Sequence, residues 1–151
     1  MLWTRPVAVS LALVSLLAAG CDRSEQTGDP GESHDGTGRW YSEVQVESGR
    51  LLFREHCAVC HGDRAQGLAE DWQQRLPDGN FPAPPLDGSA HAWHHRVLMQ
   101  VIDQGGVPMG GSMPAFGQVL DNAEKRAVIA WFQSHWSDEI YQQWLAMGGV
   151  D

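Results

Sequence analysis

The chain has 151 residues, with 10 Lys and Arg against 19 Asp and Glu, so its formal charge is −9. That length suits one compact domain plus appendages. An acidic surface disfavours nucleic acid and anionic headgroups as partners. It suits either docking on a basic patch or plain solubility.

Residues 1–20 read as an export signal. Arg5 supplies the positive start, and Val7 to Ala19 form an uncharged, mostly apolar run, too short for a stable bilayer anchor. The run closes Leu17-Ala18-Ala19-Gly20-Cys21, small residues leading to a cysteine. This resembles the bacterial lipoprotein box, in which that cysteine carries the lipids, although Ala18 stands where Leu is favoured. Ordinary cleavage near Gly20 is the alternative, giving a soluble periplasmic protein. Asp22 resembles the signal that retains lipoproteins at the inner membrane. Loss of residues 1–20 removes Arg5 and no acid, so −9 becomes −10.

Residues 21–42 are expected to form a polar tether. From Asp22 to Arg39 there is no aliphatic or aromatic side chain to bury, and His34 within it has no specific task. Order should begin near Trp40 and Tyr41. A first helix is predicted from about Glu43, with Val46, Gly49, Leu52, Phe53 and His56 on one stripe. A glycine inside a helix costs about 1 kcal/mol relative to Ala and calls for a reason.

Cys57-Ala58-Val59-Cys60-His61 follows. On one helical turn, the two cysteines project from the same side. A zinc ribbon would need a further pair of ligands at the right spacing, and a thioredoxin-like pair would need a strand–helix–strand setting. Neither is present. Residues 62–90 are broken by Gly and Pro, and Phe81 to Leu86 should be extended, polyproline-like backbone. Such a long loop needs something to pack on.

A second helix is predicted from about His91 to Gln104, with Trp93, Val97, Leu98, Val101 and Ile102 as its apolar stripe. Gly105-Gly106 ends it. The segment GGVPMGGSMPAFG then carries Met109 and Met113. The final helix opens at Asp121, with Glu124 as a capping-box partner, and runs through Trp131-Phe132 to about Trp136. A tail helix over about Asp138 to Met147 should pack back on the domain. Met99 and Met147 read as packing residues. No alternating strand pattern stands out. The expected divisions are therefore 1–20, 21–42, 43–136 and 137–151.

Taken together, the Cys-x-x-Cys-His run, Gly49-x-x-x-Phe53-x-x-x-Cys57, and Met113-Pro114-Ala115-Phe116 resemble the bacterial monohaem class I cytochromes c. The resemblance covers about residues 43–136. It implies an all-α fold in which the first and last helices cross and long loops wrap a covalent haem. Gly49 would permit the close crossing, and Trp131 or Phe132 would meet it. It implies haem c joined by thioethers to Cys57 and Cys60, His61 as proximal iron ligand and Met113 as distal ligand, with Met109 the rival. His56 and His135 read as ordinary surface or interface residues.

An iron with both axial positions filled implies one-electron transfer and no substrate chemistry of its own. The expected role is a carrier between redox partners on the periplasmic side of a bacterial membrane, tethered through Cys21. The carrier could be a subunit of an oxidoreductase complex. Two alternatives stay open. His91, His94 and His95 have helical spacing for a second metal such as copper, against a role bonding loop carbonyls or a haem propionate. A catalytic haem with an exchangeable distal position is the other.

Overall fold

The computed structural model describes residues 38–90 and 92–150. The expected signal over 1–20, Cys21, the tether up to residue 37 with His34, His91 and Asp151 lie outside the described residues. Five α-helices appear: α1 (Glu43–His56), α2 (Ala58–His61), α3 (His95–Gln104), α4 (Asn122–Gln133) and α5 (Asp138–Ala146), with a 3₁₀ turn at Val107–Met109. Among the described residues the only extended pairing is an isolated parallel bridge between Phe81 and Gly111.

Helix α1 starts on a capping box. Ser42 Oγ accepts from Gln45 N at 3.3 Å, and Gln45 Oε1 accepts from Ser42 N at 2.9 Å. Helix α4 starts on the box legible in the sequence, with Glu124 N and Asp121 Oδ1 2.8 Å apart and the reciprocal bond also 2.8 Å. The two helices cross at Gly49. A Cβ there would run into the Ala127 carbonyl and stand 2.9 Å from Trp131 Cβ. The helical glycine therefore has its reason: the backbones touch. Phe53, fully buried, stacks on Trp131 with ring centroids 4.2 Å apart.

Helix α3 begins four residues later than expected. The backbone before it is already used by the C-terminal segment. Trp144 Nε1 donates to Trp93 O at 2.8 Å, and His95 N donates to Gly149 O at 2.6 Å. Helix α4 likewise stops at Gln133, and the chain turns so that Trp136 Nε1 reaches Leu86 O at 2.8 Å, tying the long loop to the helical layer.

Packing runs across both expected boundaries, at 42/43 and at 136/137. Trp40 and Tyr41 are buried against the tail. Trp40 N donates to the Tyr141 hydroxyl at 2.8 Å, and its indole donates to Gln133 Oε1 at 2.6 Å. Arg39 reaches Asp138 at 2.6 Å and lies over the Tyr141 ring. Helix α5 contributes Tyr141 and Trp144 to the one aromatic core, so the tail is part of the folded unit. Among the described residues no helix is long and apolar enough to cross a membrane.

Candidate haem site

The two cysteines sit at the joint between α1 and α2. Cys57 closes α1, its N–H donating to Phe53 O at 2.8 Å, and its backbone (φ −115°, ψ −36°) bends the chain before α2 begins at Ala58. Cys57 is buried and Cys60 exposed, and neither is in a disulfide. Burial, with Cys60 alongside, pushes the Cys57 thiol up to about 11. The protonated thiol is therefore the resting form at neutral pH.

His61 is buried at the end of α2, and its Nδ1 lies 2.9 Å from Pro84 O. A carbonyl only accepts, so the proton is on Nδ1 and the Nε2 lone pair is left for a metal. Burial lowers the imidazole pKa, against the Pro84 bond, which favours the charged form. The long loop sets this contact by folding back on the motif. Gly67 N donates to His61 O at 2.7 Å, and Leu86 N donates to Ala65 O at 2.6 Å, which brings Pro84 over the imidazole. Ala65 holds a left-handed φ of 60° and is fully buried. Pro84 was legible as extended backbone, but nothing local marked its carbonyl as the partner of a side chain 23 residues earlier.

Across the molecule, the methionine segment rests on the glycines that end α3. Gly106 N donates to Met113 O at 3.0 Å, and a Cβ at Gly105 would stand 2.7 Å from that same oxygen. Phe116 N donates to Ile102 O at 2.9 Å and Gly117 N to Asp103 O at 3.0 Å, fastening the far limb to α3. The near limb is stitched to the long loop, where Phe81 N donates to Gly110 O at 3.0 Å and the Arg75 guanidinium lies 4.1 Å over the Phe81 ring. Met113 is half-buried against the core, whereas Met109 is 46% exposed on its 3₁₀ turn. Met99 packs as expected. Met147 does not: it ends α5 on the surface, 59% exposed, because the neighbouring Trp144 already fills the core position.

The histidine stretch is not gathered into one cluster among the described residues. His94 is exposed, with Nδ1 2.9 Å from Gly148 O. His95 is buried edge-on to Trp40, ring centroids 4.8 Å apart, with no partner for Nε2. Burial and the nearby Arg126 lower its pKa to about 4. No group of three His, Cys, Asp or Glu stands together among the described residues. His135 bonds Trp131 O at 3.0 Å, and His56 lies half-buried near Phe116. His56 is thus at an internal interface, and His135 is on the surface.

Two unpaired thiols, an imidazole with one nitrogen free, and a thioether on a glycine bed are the donors that a covalently bound haem requires, so these residues fit that group. Comparison with known proteins agrees. The family described as cytochrome c oxidase, cbb3-type, subunit III matches residues 44–132. The cbb3-type cytochrome c oxidase subunit CcoP of Rhodobacter capsulatus is 34% identical over 90 residues, 60% of this chain and 27% of that protein. The thiosulfate dehydrogenase of Stutzerimonas stutzeri (strain A1501) is 31% identical over 106 residues, 65% of this chain and 32% of that protein. The CcoP subunit of Azospirillum brasilense is 31% identical over 88 residues, 57% and 27% of the two chains. The chain thus spans between a quarter and a third of the length of these curated relatives. On the family match and the helical architecture, the chain belongs to the cbb3-type subunit III cytochrome family: it is an electron-transferring c-type cytochrome of the all-α class I fold, with covalently bound haem c.

Proposed function

We propose that the chain carries one electron at a time through a haem joined to Cys57 and Cys60 and ligated by His61 and Met113. The observation that supports this best is the hydrogen bond from His61 to Pro84 O, which leaves Nε2 as the only free imidazole nitrogen. The bound haem supplies a one-electron couple, and a thioether ligand raises its potential by favouring the ferrous state. The residues do the rest. Pro84 holds the imidazole in one tautomer and orientation. The glycines at 105 and 106 let the Met113 backbone come close. Phe53, Leu98, Ile102, Val128 and Phe132 keep water from the interior.

Held by Cys57, Cys60, His61 and Met113, a bound haem would supply single-electron exchange with a donor and an acceptor. The acidic chain suits partners with a basic docking face, by steering. We place the domain on the periplasmic side of a bacterial membrane, with Cys21 as lipid attachment and the following polar residues as spacer. By its similarity to CcoP, it serves within or beside a larger redox complex. The thiosulfate dehydrogenase relative is an enzyme by name, and an exchangeable distal ligand would be the mark of such a role here.

The optical spectrum of Met113→Ala tests the reading. Loss of the weak ferric iron–sulfur band, with rapid carbon monoxide binding after reduction, is the expected result. A band that persists in the variant overturns Met113 ligation. Rapid carbon monoxide binding by the unsubstituted protein would instead indicate an open, exchangeable haem.

A further inference from the structure

Lys125 is the only lysine in the chain, and it is buried. Its ammonium lies 2.6 Å from Asp103 Oδ1 and 3.4 Å from Asn122 Oδ1. Both charges sit at helix ends that oppose them. Asp103 is in the last turn of α3, where carbonyls already concentrate negative charge, and Lys125 is near the start of α4, beside free N–H groups. Neither charge is explained by its own helix. Each is compensated by the other, and the pair joins the exit of α3 to the entry of α4.

Those two helix ends frame the methionine segment. The chain leaves α3 just after Asp103, forms the loop with Met113, and returns to dock Gly117 on Asp103 itself. Gly117 N donates to Asp103 O, and a Cβ at Gly117 would stand 2.8 Å from Asp103 Oδ1 and 2.9 Å from Asp103 O. Asp103 therefore receives Lys125 through its carboxylate and the returning limb through its carbonyl.

We propose that Asp103 and Lys125 form a clasp that holds the returning limb of the methionine loop closed and so keeps Met113 on the iron. This rests on Met113 being the distal ligand. Both are positioning residues. Opening of the clasp leaves the limb from Gly117 back to Met113 held only by the Phe116–Ile102 and Gly106–Met113 hydrogen bonds, while α1, α2 and the His61–Pro84 contact stay in place. The iron then presents an open distal side without global unfolding.

Lys125→Met is the informative variant. It keeps the aliphatic stem and leaves Asp103, whose side chain is 46% exposed, with access to water, so no buried charge is stranded. Gly117→Ala attacks the same contact by steric means and retains both charges. The protein used is the haem-loaded chain. The readouts are the carbon monoxide association rate after reduction, the ferric iron–sulfur band and far-ultraviolet circular dichroism.

In each variant we expect carbon monoxide association about tenfold faster or more, in proportion to the open population, with helical dichroism retained. The iron–sulfur band should disappear at a lower denaturant concentration than the helical signal. Wild-type association rates and band in both variants overturn the clasp. If Lys125→Met fails to take up haem, Gly117→Ala decides alone. Met113→Ala separates the two ideas. A band lost there but unaffected in Lys125→Met and Gly117→Ala refutes the clasp only, whereas a band that survives Met113→Ala removes the ligand assignment and the clasp with it.

Discussion

The Cys57–His61 motif and the Met113 segment are held in opposite ways. The Cys57–His61 side grows directly out of α1, whose seat is the glycine crossing with α4, and one further hydrogen bond, donated by His61 Nδ1 to Pro84 O, orients the imidazole. The Met113 side is a loop. It is held by backbone hydrogen bonds to Gly106, Ile102 and Asp103 and by the pairing of Phe81 with Gly110. Failure on the first side means separating packed helices, and failure on the second means only releasing a limb. The motif side is seated on helix packing and the methionine side on loop hydrogen bonds, so the second is the easier to open locally.

The largest expected effect comes from Gly49→Ala. The added methyl meets a backbone carbonyl, which cannot give way by rotating, so α1 and α4 must part. Destabilisation of about 3 kcal/mol or more is expected in denaturant unfolding of the haem-loaded protein. A loss below about 1 kcal/mol would show that the Cys57–His61 side is not seated on this crossing.

The seat of α3 responds to acid. The folded-state pKa of His95 is lowered to about 4 from an ordinary 6.5, so the neutral ring is the one the fold accepts. Above pH 6.5 its stabilising contribution is complete. As the pH falls from 6.5 towards 4 the unfolded chain takes up the proton first, stability declines, and below 4 the loss levels off. The full loss is about 3 kcal/mol. Subtracting the pH profile of His95→Leu from that of the unsubstituted protein isolates it, and parallel profiles would contradict it.

Gly106→Ala should be mildest, at about 1 kcal/mol. Its φ of −96° suits any residue, and the new Cβ would stand 3.1 Å from Met113 Cβ, which can shift by a few tenths of an ångström because it belongs to a loop. The contrast with Gly49→Ala is the direct measure of the difference between the two sides. Equal losses would erase it.

Much of the site could be read from local sequence, and for identifiable reasons. Cys57, Cys60 and His61 stand within one turn, so their spacing alone arranges them. Asp121 and Glu124 form a box whose bonds are three residues long. Gly49 could be singled out because a helical glycine has a cost. Met113 and Met109 differ in the sequence only by the residues that follow them, and in the structure Met109 is the more exposed of the two.

The contacts that escaped are long-range ones. His61 meets Pro84, Trp40 meets Gln133 and Tyr141, and Asp103 meets Lys125. The late start of α3 has the same origin. Local pattern favours a helix from His91, but the carbonyl of Trp93 and the amide of His95 are taken by Trp144 and Gly149, which lie some fifty residues away.

The sequence by itself determined the cofactor chemistry and the order of helices, because each depends on residues within one or two turns of one another, and its helical glycine at 49 marked the place on α1 where another helix comes close. Tertiary structure decided which nitrogen of His61 is bonded to Pro84, which partners anchor Arg39–Tyr41 against the tail, and that Asp103 meets Lys125. Those features need groups far apart in the chain to meet, and only the packing of the whole aromatic core brings them together.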